Sequence, residues 1–252
     1  MLPLERRRHI VEQISTNGSV KVIDLSKNFN VTEETIRRDL EKLEQEGIIK
    51  RTYGGAVLQT EGGREVPFVS RSERNKAEKR HIGELASTLI CDGDVIMVDS
   101  SSTSLEVVRR ITGFRNLTLI TNSVVVTSDM VHYDNIDTIC TGGHLLTKAL
   151  AYTGPLSEKI INSYYADKAI LSCKGIGIEK GIMESNELEA SVKRAMIETA
   201  EKVILVVDHT KFGIHSRVRL TNFYPIDIVI TNRKPSQEWL EFFDKMDIEC
   251  IY

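Results

Sequence analysis

The sequence predicts two folded parts, a winged helix-turn-helix in residues 1–57 and an α/β domain with a mainly parallel sheet in residues 76–252, joined by a linker over residues 58–75. Three observations carry this. Apolar residues recur at helical spacing three times before residue 45, and a Gly-Gly hairpin follows. From residue 76 on, short apolar strands alternate with amphipathic helices, the pattern of a parallel sheet covered on both faces. Several of those strands run straight into polar, hydroxyl-rich or Gly-rich segments, where ligands bind in such sheets.

The N-terminal part reads as follows. Pro3 fits a first helical turn, Ile10, Val11 and Ile14 form its apolar stripe, and Asn17-Gly18 ends it. A short helix spans Val22 to Asn28, entered from Ser19 or Lys21, and a tight turn at Asn30-Val31 leads to the next helix. There Thr32 is the N-cap, and Glu33 and Glu34 suit the first turn. Ile36, Leu40 and Leu43 face inward, whereas Arg38 points almost opposite, flanked by Glu34, Thr35, Glu41 and Lys42. Gly47 stops this helix. Residues 48–57 form a hairpin in which Gly54-Gly55 supplies positive φ, with Arg51 and Tyr53 in reach of phosphates. A helix with a packed back and a Thr/Arg/Lys front suits a DNA major groove. Taken alone, the same pattern also describes a solvated helix of mixed charge.

The linker holds Gly62-Gly63 and an extended segment near Val66-Pro67-Phe68. In the α/β part, helices are expected at Ala77–Ile90, Leu105–Ile111, Val124–Val131, Leu156–Tyr164, Glu187–Glu201 and Ser236–Met246. Strands are expected at Val95–Val98, Leu117–Ile120, Ile136–Cys140, Lys168–Leu171, Val203–Val207, Ile226–Ile230 and Glu249–Ile251. The strand ends of interest are Asp99-Ser100-Ser101-Ser102-Thr103, Thr121-Asn122-Ser123, Thr141-Gly142-Gly143 and Asp208-His209-Thr210-Lys211. A run of hydroxyls at a helix start is an anion cradle, whereas a single helix cap needs only one hydroxyl. The Gly-rich framework and Lys of a nucleotide loop are missing there, and Gly175, Gly177 and Gly181 have the wrong spacing for a dinucleotide, so no cofactor is expected.

The 252 residues carry a net charge of −3, so nucleic acid can be met only by a local surface. The four cysteines have neither zinc-ligand nor redox spacing, so no metal is expected. The charged start lacks a signal-peptide core and no apolar run reaches membrane-spanning length, so a cytoplasmic protein with no membrane partner is expected.

The segment Val31–Val57, with its Thr-Ile-Arg-Arg-Asp-Leu core and Gly-Gly-Ala ending, resembles the DNA-binding module of the DeoR family of bacterial transcription regulators. The second part, through Asp99–Thr103, Thr121–Ser123, Tyr152–Pro155, Asp167–Ala169, Lys193–Glu198 and Asp208–Gly213, resembles that family's sensor domain, which is similar in fold to ribose 5-phosphate isomerase. The resemblance implies that Thr35, Arg37 and Arg38 face DNA; Lys21, Thr32, Glu34 and Lys42 complete that face beside Arg51 and Tyr53 on the wing. Arg37 has a second reading, pairing with Asp39 or Glu41, and Asp39 is placed to hold an arginine. The resemblance further implies a phosphorylated-sugar effector, with Asp99, Ser101, Ser102 and Thr103 at its phosphate end or beside it. Lys168, Lys174, Asp208 and Lys211 would read its hydroxyls and charge, and Ser100, Thr121, Asn122, Ser123, Gly142, Gly143 and Tyr152 line the same pocket. Glu187 and Lys193, placed facing each other at a helix start, are either part of the site or a surface ion pair. The expected protein is a DNA-binding regulator, a repressor of a sugar catabolism operon, acting as a homodimer or homotetramer that its effector releases or alters. The alternative is a sugar-phosphate isomerase with an added DNA-binding domain, using Asp208 or Glu187 as base.

Overall fold

The computed structural model describes residues 3–45, 49–58 and 66–252 and divides into two compact units, Met1–Arg74 and Asn75–Tyr252. Gly47, Ile48, Gly62 and Gly63 lie outside the described residues.

In the first unit α1 (Pro3–Asn17), β1 (Ser19–Lys21), α2 (Val22–Phe29) and α3 (Glu33–Gln45) precede a hairpin of β2 (Ile49–Thr52) and β3 (Gly55–Leu58). Ile10, Ile14, Val22, Leu25, Ile36, Leu40, Leu43, Ile49 and Ala56 form one core. Asn30 takes the left-handed conformation (φ 51°) that ends α2 and turns the chain into α3. The wing has three strands, in the antiparallel order β1-β3-β2. Three residues of alternating exposure are too short a run for β1 to show in the sequence. Its presence corrects the role expected of the glycine pair. Neither Gly54 nor Gly55 has positive φ. A Cβ on Gly55 would lie 1.8 Å from the Val20 carbonyl oxygen, so Gly55 gives β1 room to lie against β3. Pro67 does precede a structured segment, but Phe68–Glu73 is a short helix, α4, inside the expected linker.

The second unit contains α5 (Lys76–Ser87), β4 (Val95–Val98), α6 (Ser102–Val108), β5 (Leu117–Thr121), α7 (Val124–Met130), β6 (Ile136–Cys140), β7 (His144–Leu146), β8 (Ala151–Thr153) and α8 (Pro155–Ile161). It continues through β9 (Ala166–Leu171), β10 (Gly175–Gly177), β11 (Gly181–Glu184), α9 (Glu187–Glu198), β12 (Ala200–Val206), a 3-10 turn at His209–Lys211, β13 (Val218–Thr221), β14 (Ile228–Ile230), α10 (Gln237–Lys245) and β15 (Glu249–Ile251). Seven strands form one parallel sheet in the order β15-β14-β12-β9-β4-β5-β6. The chain steps from β4 outward to β5 and β6, then returns to the other side of β4 as β9 and continues to β15. The β4/β9 junction is therefore where the strand order reverses, the position at which ligand sites are sought in open parallel sheets. The β7/β8 hairpin and the antiparallel sheet β10-β11-β13 are additions not foreseen from the sequence; they too are short, and several of their positions are buried glycines.

Candidate DNA-reading face and effector pocket

On α3, Ile36, Leu40 and Leu43 are buried and Arg37, Arg38, Glu41 and Lys42 are exposed, so the outward face contains the residues read from helical spacing. Thr32 caps the helix by accepting from the Thr35 amide at 3.2 Å, and the two hydroxyls lie 2.9 Å apart. Arg38 reaches back to Glu34 at 3.3 Å, with both side chains about two-thirds or more exposed. Arg37 pairs with Glu33 at 3.3 Å, one helical turn away, rather than with Asp39 or Glu41. Asp39 is turned inward and committed elsewhere. Its carboxylate accepts from Arg6 Nε at 2.6 Å, with Arg7 3.8 Å away, which ties α1 to the reading helix. Arg6 escaped the sequence reading because it precedes the apolar stripe of α1. Lys21 ends β1 and sits at the N-cap position of α2. Arg51 is held by Glu44, through its amide at 2.9 Å and its Nε at 2.7 Å, and Tyr53 at the hairpin tip is fully exposed.

In the second unit the expected cluster forms at the carboxyl edge of β4, β9 and β12. Asp99, just past β4, is wholly buried; its carboxylate accepts from the Ser101 amide at 3.0 Å and the Ser172 amide at 3.0 Å. It thus stitches the loops after β4 and β9 together at the crevice. Lys193 Nζ lies 3.0 Å from Asp99 and also bonds Glu184 and the Ser172 carbonyl. Burial alone would raise the Asp99 carboxyl, but the Lys193 ammonium and hydrogen bonds from Ser172, Ser104 and Ser101 outweigh it and hold the group below its usual range. Lys193 stays charged for the matching reason: burial opposes its charge, and Asp99, Glu184 and Glu189 together raise it.

The hydroxyl run after Asp99 divides into two roles. Ser101 is a cap, accepting from the Ser104 amide at 3.0 Å and bonding its hydroxyl at 2.8 Å. Ser102 accepts 3.0 Å from Lys79 Nζ, which is only 5% exposed, and Ser100 and Thr103 are buried beside it. Lys79 was missed, although its signal was present. It lies on the same stripe of α5 as Ile82 and Ala86, where a lysine has no apolar reason to be. Its reach depends on Gly83, because a Cβ there would stand 2.6 Å from the Glu106 carbonyl oxygen of α6.

Asp208 caps the turn after β12. It accepts from the Thr210 amide at 2.9 Å, the Thr210 hydroxyl and Asn75 Nδ2 at 3.1 Å. Burial pushes this carboxyl up, yet the Lys211 ammonium, the Thr210 hydroxyl and the Lys79 ammonium hold it low. Cys173, beside them, has its thiol pushed up to about 12 by burial and then by Glu184. Lys174 is buried in the same loop, its amide donating to Met183 O at 2.9 Å.

A second group lies at the ends of β5 and β6. Asn122 and Tyr152 exchange bonds, Tyr152 N to Asn122 O at 2.7 Å and Asn122 Nδ2 to Tyr152 O at 2.9 Å. Asn122 is 3% exposed, and its Oδ1 has no hydrogen-bond partner among the described residues. Thr121 and Ser123 are spent on structure: Thr121 donates to Val98 O, and Ser123 caps α7. Gly142 and Gly143 both have positive φ, and a Cβ on Gly143 would meet Ser157 Oγ at 2.5 Å.

Two expectations are overturned. Lys168 lies near the amino end of β9, paired with Asp94 at 2.7 Å, so it sits at the opposite edge of the sheet from the pocket. Glu187 and Lys193 do not face each other: Glu187 pairs with Arg194 on the surface of α9, while Lys193 points into the buried cluster. Six positions separate Glu187 from Lys193, well over a turn and a half, and that carries them to different faces of the helix. Among the described residues, no group of three or more His, Cys, Asp or Glu could hold a metal ion, and no helix is long and apolar enough to cross a membrane.

Comparison with known proteins decides the family. Residues 6–61 match the DeoR-like helix-turn-helix domain, and residues 74–233 match the DeoR C-terminal sensor domain. The chain belongs to the DeoR family. It is a DNA-binding transcriptional regulator. An uncharacterised HTH-type transcriptional regulator, YulB of Bacillus subtilis, is 38% identical over 92% of this chain and 90% of its own. The L-fucose operon activator of Haemophilus influenzae is 34% identical over 96% and 97%. The HTH-type transcriptional repressor GlcR of Bacillus subtilis is 32% identical over 98% and 95%. Among solved structures, ribose 5-phosphate isomerase A of Methanocaldococcus jannaschii covers 55% of each chain at 15% identity with a TM-score of 0.40, too distant a likeness to carry function.

Proposed function

We propose that this DeoR-family regulator represses a sugar-utilisation operon in the cytoplasm and leaves its operator when a phosphorylated sugar fills the crevice at β4 and β9. The observation that carries the reading is Lys79, a buried ammonium delivered to Ser102 at the end of β4. A buried ammonium placed at the hydroxyl-rich end of a parallel strand, where ligands bind in such sheets, suits an anionic group brought by a ligand. The pairing of Asp99 with Lys193 weakens the repulsion of that anion by the Asp99 carboxylate. Lys174 and Lys211 add positive charge in the loops after β9 and β12, and Asn122 Oδ1, without a hydrogen-bond partner among the described residues, offers an acceptor for a sugar hydroxyl. Relatives named for sugar operons and for repression support the same reading.

For DNA, α3 enters the major groove with Thr32, Thr35, Arg38 and Lys42, while Lys21, Arg37, Arg51 and Tyr53 meet the backbone. Two copies of the chain read two half-sites, as helix-turn-helix dimers do. Effector and operator then oppose each other by a common factor. The isomerase alternative loses support from the geometry: Asp208 Oδ1 is committed to Thr210 and Asn75 as the cap of a turn, and Glu187 is paired on the surface with Arg194.

The test is thermal unfolding of the full chain with a panel of sugar phosphates and their unphosphorylated parents. At a hundred times its dissociation constant, the effector adds about 2.7 kcal/mol. Stabilisation by a phosphorylated sugar and not its parent supports the pocket; equal response to both, or to none, contradicts it.

A further inference from the structure

Asn75 is the first residue of the second unit and stands at the N-cap position of α5, yet its side chain does not cap that helix. Its Nδ2 instead reaches 133 positions along the chain to Asp208 Oδ1 at 3.1 Å, and lies 3.3 Å from Thr210 Oγ1. Its backbone is left-handed, with φ 50° and ψ 41°. Asparagine tolerates that conformation better than most residues, but still adopts it mainly where something holds it. One turn further on, Lys79 donates its amide to the Asn75 carbonyl at 3.0 Å and its ammonium to Ser102 at 3.0 Å. The first turn of α5 therefore touches the crevice twice, at the loop after β4 and at the loop after β12.

The same turn is where the chain crosses between units. Helix α4 ends at Glu73, and only Arg74, extended at φ −77° and ψ 134°, and the left-handed Asn75 separate it from α5. A change of Asn75 out of the left-handed well alters the direction in which the chain enters α5.

We propose that Asn75 is the residue that couples the pocket to the DNA-reading unit: its bond to Asp208 holds the left-handed hinge, and a ligand that engages Lys79 and the Asp208–Lys211 loop changes that bond and so the path of the chain at residues 74–75. This rests on the effector pocket proposed above. Asn75 is a positioning residue and does not itself touch the ligand. Its contribution is a difference in coupling, not in affinity, because it works by favouring one arrangement of the hinge over another.

Hydrogen exchange by mass spectrometry on the full chain tests this, with sugar phosphates from the panel and inorganic phosphate as probes. In the wild type, a probe that raises the melting temperature should alter exchange in residues 68–74 on the order of tenfold, the size of an ordinary coupling. Asn75→Gly keeps the left-handed backbone without strain and removes only the side-chain bond. It should still be stabilised by the probe, with the change in residues 68–74 abolished. Asn75→Asp, of the same shape but repelled by Asp208, should behave alike. A probe that stabilises the wild type without altering residues 68–74, or an undiminished change in both variants, overturns the coupling role. Failure of every probe to stabilise the wild type overturns the pocket and the coupling role together, and is told apart by the melting curves alone.

Discussion

Lys193 Nζ stands 3.0 Å from Asp99 Oδ2 in a place where neither side chain is more than 5% exposed, with Glu184 on its other side. One lysine is thus shared by two buried carboxylates where the loops after β4 and β9 meet. Replacing Lys193 by Met strands both charges, and breaking such a buried arrangement costs about 3–5 kcal/mol. Urea unfolding of the full chain measures it. A loss below about 1 kcal/mol, the range of exposed pairs, would mean that the cluster is solvated.

Acid should unlock the same region. Asp99 and Asp208 both have folded pKa values below their unfolded ones, so the stability they provide is present above the ordinary carboxylate range, near pH 4, and is lost as pH falls through the folded values. The melting temperature of the second unit should drop steeply below about pH 4, and Asp99→Asn should flatten that slope. An unchanged slope in the variant would assign the acid sensitivity elsewhere.

Gly83 sets how closely α5 lies on α6, and so whether Lys79 reaches Ser102. Gly83→Ala should destabilise by about 1–3 kcal/mol through overpacking and weaken the response to phosphorylated sugars more than the response of the DNA-reading face to duplex. Thermal melts with and without ligand read both effects. A variant that melts lower but responds to ligand as the wild type does would separate Lys79 from the pocket.

How much of this was legible depends on the length and regularity of each element. The stripe Ile36, Leu40, Leu43 spans two turns, so α3 and its outward Arg38 could be read directly. The parallel strands were legible as apolar runs because both of their faces are covered. Strand β1 and the hairpin β7/β8 are three residues per strand, too short to show a period. At the pocket, the loops Asp99–Thr103 and Asp208–Lys211 announced themselves by composition. The fates of their neighbours did not: Lys168 pairs with Asp94 and Glu187 with Arg194, pairings that strand register and helix phase decide. Lys79 and Asn75 were overlooked because each acts through a residue more than twenty positions away.

Arg38 and Arg6 should separate reading from folding. Arg38→Ala removes an exposed pair worth only about 0.3–0.5 kcal/mol, so the fold should survive while affinity for duplex drops and the salt slope falls by about one unit if the contact is to phosphate. Arg6→Ala instead leaves Asp39 buried without its closest partner and should unfold the DNA-reading unit at a lower temperature. Equal loss of stability in the two variants would contradict the placement of α3.

The central claim is that one small phosphorylated sugar and one DNA site compete through this chain. The direct measurement selects a duplex from a random pool with the full-length protein, then titrates the complex with each sugar phosphate while following anisotropy. Release of the duplex by a phosphorylated sugar, with no release by its parent sugar and none when Ser102→Asp occupies the Lys79 ammonium, is the expected result. Duplex affinity that stays constant across the whole panel would contradict it.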